Sequence, residues 1–329
     1  MGRNSQVISQ QKQVIKAILQ PLLPKNTQYA LVDFPDHSNV GDSAIWVGEI
    51  DLLKEITGNH PSYISKIENF RLDILSNALP EGPILIHGGG NFGDLWRKHQ
   101  DFREYLMIAC KGRKVIQLPQ SIKFDNPESI ANCADLIKQH GDFHLLVRDK
   151  PSLDFAVKNF SCHVELSPDS AFGIGELAKP SKPEADLFML LRNDSERAEY
   201  DRTPLFALNA LGADWLDDPS FFHQRSKVIA TLSALKQGRK PNRLDYYQAL
   251  AQGRLMRGVK MLSRGKRVVT DRLHAHIIST LLDIPHVALD NNYGKVSGYI
   301  NAWTNTYPQV KIASSAQDAI EKLDSLATF

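Results

Sequence analysis

The stretch Ile84-Leu-Ile-His-Gly-Gly-Gly-Asn-Phe-Gly-Asp-Leu-Trp96 is the most informative segment of this chain of 329 residues. Its apolar start predicts a buried strand. The three glycines that follow remove every Cβ where the chain turns into a helix predicted over 92–110. In such a turn, backbone amides can contact a ligand directly. Because the stretch contains neither GxGxxG nor a following Gly-Lys-Ser or Gly-Lys-Thr, it predicts neither a dinucleotide site nor a P-loop.

Short apolar runs alternate with helical segments along the whole chain. Runs typical of strands occur at 30–34, 84–87, 115–118, 143–147, 187–191, 267–270, 286–289 and 310–312. One of the intervening helices is predicted over 42–57. This alternation predicts βαβ units, which build a parallel sheet covered by helices on both faces.

A segment rich in Gly, Pro and charged residues, 173–184, interrupts this pattern and predicts a linker. The chain length also favours two domains over a single core. We therefore predict an α/β fold in which two Rossmann-like domains, 1–175 and 176–329, face each other across a cleft. Ligands of such sheets bind beyond the carboxyl ends of the strands, so we expect the chemistry in the loops that follow the strands.

The composition narrows the classes of protein to consider. Lys and Arg total 39 against 37 Asp and Glu, and this balance argues against a dedicated nucleic-acid binder. The three cysteines have no paired spacing, which fits a reducing, cytoplasmic compartment. We expect neither a secretory signal nor a membrane span, because no apolar run has the required position or length.

Residues 5–22 carry apolar side chains at helical spacing and predict an amphipathic helix. The favoured interpretation is a helix that packs on its own domain. A helix lying on a membrane surface is the alternative, and it is weakened because Lys12 and Lys16 are its only cations.

The loop at 36–45 follows a predicted strand and opens a helix, so its free amides can hold an anion or a sugar hydroxyl. Asn39 and Asp42 are the candidate ligand contacts in this loop. A structural helix cap explains Ser38 and Asp42 about equally well.

The glycine-rich loop offers a second set of candidates. Its ligand contacts are expected to be Gly88, Gly89, Gly90 and Asn91. Asp94 is expected either to take a sugar hydroxyl or to cap a helix. A tight strand–helix turn explains the glycines, but it does not explain all the polar residues of the loop.

A third candidate loop follows the strand at 267–270, where Thr270 or Asp271 is predicted to cap a helix. The polar face of this helix is predicted to carry Arg272, His276 and Ser279. His274 is predicted on the apolar side, where a histidine is more often a core residue than a catalyst. Its position at a helix N-terminus, near an arginine, gives a catalytic role equal weight. Histidines two apart diverge on a helix, so a metal-binding pair is not expected.

Four more charged residues follow apolar strands, namely Arg148, Asp169, Arg192 and Lys295. Lys295 lies on the Gly-containing loop 290–298 and is placed to meet an anion, with an ordinary exposed lysine as the alternative. The other three are either ligand contacts or ordinary salt-bridge partners.

Taken in chain order, these loops resemble the polysaccharide pyruvyl transferase family. The matching motifs are Ser-Asn-Val-Gly-Asp-Ser-Ala-Ile, His-Gly-Gly-Gly-Asn-Phe-Gly-Asp-Leu-Trp, Leu-Pro-Gln-Ser-Ile, Val-Arg-Asp, Ser-Pro-Asp, Thr-Asp-Arg-Leu-His and Leu-Asp-Asn-Asn-Tyr-Gly-Lys. The resemblance extends from Ser38 to about Trp303. It implies a fold like that of the GT-B glycosyltransferases, phosphoenolpyruvate as donor, and a 4,6- or similar ketal on a hexose as product.

The resemblance also places Arg272, Leu273, His274 and Lys295 at the donor site. Ketal formation begins when a general acid protonates the methylene carbon of phosphoenolpyruvate. One sugar hydroxyl then attacks, phosphate leaves, and a second hydroxyl closes the ring. We assign His274 as the acid and Arg272 with Lys295 as the clamp on the donor's anionic groups.

Further roles follow from the same chemistry. Arg148 or Arg192 is expected to add a cation, and Asp42 and Asp94 are expected on the hydroxyl side. The domain 1–175 is the expected acceptor side and 176–329 the expected donor side. No step calls for a metal or a cofactor, so the expected partners are phosphoenolpyruvate and a glycan or lipid-linked sugar.

Two alternatives stay open. A nucleotide-sugar glycosyltransferase of the same fold is weakened because no Glu, a residue that often holds the ribose, occurs between Glu199 and Glu321. A non-catalytic glycan-binding protein would leave the Arg-Leu-His motif and the downstream Lys295 unexplained.

The segment 225–267 is a local basic block in which Asp245 is the only acid. Apolar residues at helical spacing between Leu244 and Leu262 predict an amphipathic helix with a cationic outer face. A solvated surface helix is the favoured interpretation. The alternative is a peripheral contact with an anionic membrane that carries a polyprenyl-diphosphate-linked acceptor.

Overall fold

The chain forms two parallel sheets in the computed structural model, which describes residues 2–193, 199–290 and 294–326. The strands of the first sheet are β1 (Ala30–Val32), β2 (Tyr63–Ser65), β3 (Ile84–Ile86), β4 (Gly89–Gly93), β5 (Val115–Lys123), β6 (Phe143–Val147) and β7 (His163–Leu166). Those of the second sheet are β8 (Ala185–Leu190), β9 (Leu211–Gly212), β10 (Gly265–Thr270), β11 (His286–Leu289) and β12 (Val310–Ala313). The strand orders are β2-β1-β3-β5-β6-β7, with β4 beside β5, and β12-β11-β10-β8-β9.

Helices connect the strands in both halves, as expected for βαβ units. Those of the first half are α1 (Ser5–Leu22), α2 (Val40–Thr57), α3 (Leu72–Ala78), α4 (Arg97–Ala109), α5 (Pro127–His140) and α6 (Lys150–Asn159). Those of the second half are α7 (Thr203–Phe206), α8 (Phe222–Lys236), α9 (Arg243–Leu262), α10 (Leu273–Leu281), α11 (Lys295–Tyr299) and α12 (Ala316–Ser325). The α/β class and the parallel sheets predicted from the sequence are therefore confirmed.

The start of the helix predicted over 92–110 is wrong, because α4 begins only at Arg97. The glycine-rich loop instead runs extended beside β5 as β4, and Asp94–Trp96 form a 3₁₀ turn before the helix. Gly93 has φ of 127°, and a Cβ at this position would overlap with the backbone of Lys123. Glycine therefore allows an extra strand to lie where the sequence pattern predicts the first turn of a helix.

One hydrophobic core extends through both sheets. It contains Leu31 and Leu85 from the first sheet and Phe188 and Val268 from the second, with α2 and α9 packed against each other between them. Two smaller clusters lie on the outer faces of the sheets. Because the core is continuous, the loops at the ends of the two sheets have fixed positions relative to each other.

The amphipathic helix predicted at 5–22 is confirmed, and it packs on the chain as α1. Its Lys12 and Lys16 both bind Glu55 of α2, at 2.7 and 2.8 Å. Asn4, just before α1, donates to the carbonyl of Thr280 at 2.8 Å, so this end of the helix reaches the second half of the chain. Within the described residues, no helix is long and apolar enough to cross a membrane.

The segment predicted as a linker, 173–184, begins later than expected. Residues 170–174 form a 3₁₀ turn that packs tightly on α2, where a Cβ at Gly48 would overlap with the carbonyl of Ser170. The irregular connection therefore runs from Gly175 to the start of β8.

The helix predicted in the basic block is confirmed as α9. The prediction that its cations form an outer face is wrong for two arginines. Arg254 is only 1% exposed and binds Asp218 at 2.8 Å. Arg257 binds Asp218 at 2.5 Å and donates to the carbonyls of Ser38 and Trp215. These arginines turn inward because they hold loops from both halves of the chain together.

Candidate functional site

A cavity of about 490 Å³ lies at the carboxyl ends of strands from both sheets. Its size is in the range of small-molecule sites, and its position is the one that parallel sheets favour. Its basic lining residues are Arg148, Arg192, Arg272 and Lys295. Asp42 is the only carboxylate among the described lining residues, so the wall carries a surplus of positive charge.

Most candidates from the sequence meet in this cavity. The ten that line it are Asn39, Asp42, Gly90, Asn91, Arg148, Arg192, Arg272, Leu273, His274 and Lys295. Gly88 and Gly89 support the wall from behind. The Gly88 amide donates to Glu49 Oε1 at 2.8 Å, and a Cβ at Gly89 would lie 3.4 Å from Asp42 Oδ1.

Asp94 lies outside the cavity lining. Its Oδ2 accepts from the amides of Asp125 and Asn126 at 2.8 and 2.7 Å, so it fixes the turn before α5. This placement gives Asp94 a structural role, against the expectation that it takes a sugar hydroxyl.

His274 lies in the first turn of α10 and faces a buried carboxylate from the first half of the chain. Its Nε2 lies 3.4 Å from Oδ2 of Asp169. The same oxygen accepts from Arg148 Nη1 at 2.7 Å, and Asp169 Oδ1 accepts from the amide of Ala171. Burial opposes ionisation of Asp169, but His274 and Arg148 outweigh it and hold the pKa of this carboxyl well below its usual range. Asp169 is therefore an anion that can stabilise a protonated His274.

The close approach of the two halves at His274 requires a glycine at position 41. A Cβ on Gly41 would overlap with Nδ1 of His274 and lie 2.6 Å from its Cγ. Asn39 caps α2 just before this point by accepting from the Gly41 amide at 2.9 Å. The Ser-Asn-Val-Gly motif thus supplies the surface on which the imidazole of His274 rests.

The polar face predicted for α10 is wrong. His276 is fully buried, with Nδ1 2.7 Å from His286 Nε2 and Nε2 2.9 Å from Thr304 Oγ1. Ser279 is also buried, and Arg272 is the N-cap residue rather than part of the first turn. Because α10 is buried along its length, it has no open polar face, and only its first turn reaches the cavity.

A buried pair that the sequence analysis missed lies on the other side of the cavity. Glu49 of α2 binds Nδ1 of His87 through Oε2 at 2.7 Å, and both residues are almost fully buried. Burial raises the pKa of Glu49. Although burial alone would lower the pKa of His87, the Glu49 carboxylate raises it. His87 lines the cavity, and its Nε2 has no hydrogen-bond partner among the described residues.

Asp42 lies among several of these groups. Burial alone would raise the pKa of its carboxyl, but His37, His274, His87 and Arg148 together lower it. The nearest of them, His37, has its Nε2 3.6 Å from Asp42 Oδ2. Asp42 is therefore ionised near neutral pH and faces the cavity as a negative charge.

The second sheet supplies the other cations from loops that are held by acidic side chains. Arg272 Nη2 lies 3.1 Å from Asp214. Asp271 accepts from the backbone amide of Arg192 and from the side chain of Arg202, both at 2.7 Å. Lys295 starts α11, whose next two amides are capped by Asp290. Residues 291–293 of this predicted loop lie outside the described residues.

Several other lining residues gave no motif in the sequence. His99 of α4 has Nδ1 2.9 Å from Asp33, which follows β1. Trp215 adds aromatic surface to the wall. These side chains come from scattered elements, so their spacing in the sequence carries no signal.

The family of this chain follows from comparison with known proteins. A model of the family described as polysaccharide pyruvyl transferase matches residues 39–293, which contain most of the cavity wall. The chain belongs to the polysaccharide pyruvyl transferase family. It is thus an enzyme of this kind, and the resemblance seen in the motifs is confirmed.

Individual relatives agree with this assignment. The chain is 29% identical to EpsO of Bacillus subtilis, a protein named as a pyruvyl transferase, over 93% of this chain and 94% of EpsO. It is 33% identical to Pyruvyl transferase 1 of Schizosaccharomyces pombe over 83% of this chain and 69% of that protein. A crystal structure of a protein from Klebsiella pneumoniae covers 93% of this chain at 20% identity with a TM-score of 0.60, which shows the common fold.

Proposed function

We propose that this enzyme transfers pyruvate from phosphoenolpyruvate to a sugar of a surface polysaccharide or exopolysaccharide, or of its lipid-linked precursor, and that the product is a ketal. The observation that carries this proposal is the surplus of cations in the cavity beside His274, whose imidazole faces the buried Asp169 anion. A small donor with two anionic groups matches this charge.

The donor lies on the side of the second sheet in this proposal. Arg272, Lys295 and Arg192 hold the carboxylate and phosphate, and Arg148 adds a cation from the first half. The fold then works like that of a GT-B enzyme, with two Rossmann-like domains, 176–329 on the donor side and 1–175 on the acceptor side. The position of the cavity between loops of both sheets supports this division.

His274 begins the reaction as general acid. The electron pair of the enol double bond takes its proton at the methylene carbon, which leaves an oxocarbenium at the neighbouring carbon. Asp169 stabilises the protonated imidazole before the transfer. The arrangement fits this role because the Asp169 carboxylate is ionised and lies 3.4 Å from His274 Nε2.

A sugar hydroxyl then attacks the cationic carbon and loses its proton to a base. We assign this base to Nε2 of His87. In the neutral form of His87, Nδ1 donates its proton to Glu49, so Nε2 is the nitrogen that can take a proton, and His87 lines the cavity. Phosphate leaves with the electrons of its bond to carbon, and a second hydroxyl attacks the resulting cation, closes the ketal and returns its proton to His274. Asp42 orients the hydroxyls from the same side.

The test supplies the purified enzyme with an acceptor oligosaccharide and either phosphoenolpyruvate or a nucleotide sugar. We expect phosphate release and an acceptor whose mass has increased by one pyruvate ketal, only with phosphoenolpyruvate. Transfer of a glycosyl group from the nucleotide sugar would contradict the proposal and favour the glycosyltransferase alternative.

A further inference from the structure

Helix α8 presents an apolar stripe to solvent. Its Val228, Ile229, Leu232 and Leu235 are 54 to 61% exposed. The helix packs on α9 through the small residues Ser226, Ala230 and Ala234, so its large apolar side chains point away from the protein. Phe221, directly before the helix, is 71% exposed. An apolar stripe of this size on a helix surface indicates a binding face rather than scattered exposure.

Cations surround this stripe, and acids are absent from it. Residues 219–240 contain no Asp or Glu. Arg225, Lys227, Lys236 and Lys240 are exposed. Among the described residues, Arg225, Lys236 and Lys240 form no ion pair, whereas Arg239 binds Asp245 at 2.6 Å. The face formed by α8 and the residues up to Lys240 is therefore both apolar and cationic.

We infer that this α8 face binds the surface of an anionic phospholipid membrane. An apolar stripe bordered by Lys and Arg is the pattern that inserts shallowly between headgroups while its cations meet the lipid phosphates. A second copy of this chain fits the face less well, because two copies joined through α8 would bring their cations together. The basic block noted in the sequence thus contacts the membrane through α8, and not through α9, whose Arg254 and Arg257 turn inward.

The position of α8 relates this contact to the site. Trp215 and Leu216 line the cavity, and α8 begins only a few residues later at Phe222. A membrane under α8 therefore lies close to that edge of the cavity. This link to a lipid-linked acceptor rests on the proposed function, whereas the membrane contact itself is independent of it.

The test is co-sedimentation of the full chain with vesicles, without substrates. One set contains equal amounts of phosphatidylcholine and phosphatidylglycerol, and the other contains phosphatidylcholine alone. We expect binding to the anionic vesicles at low ionic strength and its loss at high salt. The double variant Arg225→Gln/Lys236→Gln should lower the partition coefficient about 25-fold, roughly fivefold for each cation.

A second double variant, Leu232→Gln/Leu235→Gln, should abolish binding because it removes apolar side chains from the stripe. The matched control is Ile108→Gln/Val157→Gln, which replaces side chains that are 64 and 65% exposed on α4 and α6 and should bind like the wild type. Circular dichroism checks that each variant is folded. The inference is overturned if the wild type fails to bind anionic vesicles at low salt, or if the α8 variants bind as well as the control. A wild-type dimer that the α8 variants dissociate, without vesicle binding, would assign the face to a second copy.

Discussion

Nε2 of His274 lies 3.4 Å from Oδ2 of Asp169, and this contact joins the second half of the chain to the first. Asp169 follows β7 and His274 follows β10, so each residue stands at the carboxyl end of a strand in a different sheet. Because the pKa of Asp169 is held well below its usual range, the imidazole faces a carboxylate anion near neutral pH. The two side chains therefore meet only when both halves are in place.

We predict that His274→Ala abolishes transfer and leaves the protein folded. Loss of a general acid typically costs 10²–10⁴-fold in rate. His276→Asn is the matched control, because His276 is a core residue that binds His286 and Thr304 and does not line the cavity. That variant should lose stability in urea while retaining the donor KM of the wild type. Near-native turnover by folded His274→Ala would remove this residue from the mechanism.

Arg272→Ala and Lys295→Ala should mainly weaken use of the donor. Each variant loses a charge-assisted hydrogen bond to an anionic group, which is worth about 1.5–3 kcal/mol. Steady-state kinetics should show a KM for phosphoenolpyruvate raised by roughly 10- to 100-fold. Lys266→Ala, which removes an exposed lysine bound to Asp186, is the control. An unchanged dependence on phosphoenolpyruvate would contradict the clamp assignment.

Gly41→Ala should lower both activity and stability. A Cβ at this position would overlap with the imidazole of His274 and lie 2.9 Å from the Cβ of His274, and the small helix preference of alanine does not offset this overlap. The control is Gly298→Ala in α11, where nothing lies within 4 Å of the added Cβ. A Gly41→Ala change in the His274→Ala background should have a smaller effect, because the ring is gone and only the contact with the Cβ of residue 274, at 2.9 Å, remains. If the losses of activity in the two single variants add up in the double variant, position 41 affects activity independently of the His274 ring.

Much of this fold is predictable because its strands are short apolar runs bounded by polar loops. The run at 286–289, for instance, coincides with β11. The errors arise where tertiary contacts override local pattern. The glycines near Gly93 pair with β5 instead of opening a helix, and Arg254 turns into the core because Asp218 from a distant loop receives it.

The residues of the site likewise fall into those that the sequence predicts and those that only the folded structure reveals. Residues such as Arg148 and Arg272 are predictable because they directly follow strands, whose carboxyl ends meet in space. His87 also follows a strand, and that signal could have identified it. Its partner Glu49 is one of four acids in α2, and nothing in the sequence distinguishes it from the other three. Only the folded chain brings these two side chains to 2.7 Å.

Glu49→Gln should lower kcat by about 10²-fold or more, with the KM for phosphoenolpyruvate unchanged. The Gln oxygen can still accept from Gly88, so the Gln amide would donate to Nδ1 of His87. The proton of His87 would then move to Nε2, where it blocks acceptance of a proton from the sugar. The fold should persist, because a neutral side chain of the same shape suits this buried position. A variant with wild-type kcat would exclude His87 as the base.

The buried histidine pair of α10 and β11 should make the fold acid-sensitive. His286 Nδ1 donates to the carbonyl of Ile284, so Nε2 accepts from His276 Nδ1, and Thr304 donates to His276 Nε2. Burial lowers the pKa of His286 to about 4 and that of His276 well below its ordinary value. In the unfolded chain both histidines take up protons near pH 6.5, while the folded chain stays neutral there. Stability is therefore fully present above about pH 6.5 and falls towards pH 4, with each histidine contributing up to about 1.4 kcal/mol per pH unit.

Urea unfolding at about pH 7 and about pH 5.5 measures this loss, which should be about 1.4 kcal/mol smaller in His286→Gln than in the wild type. His87 has the opposite effect, because its raised pKa gives stability that is lost as the pH rises. Comparing wild type with variant removes its contribution, since both proteins contain the Glu49–His87 pair. The other side chains around the pair, Tyr299 and Tyr307, do not titrate in this range. An equal loss of stability in both proteins would show that the acid sensitivity arises elsewhere, and would contradict the assignment of neutral, hydrogen-bonded histidines at this point of the core.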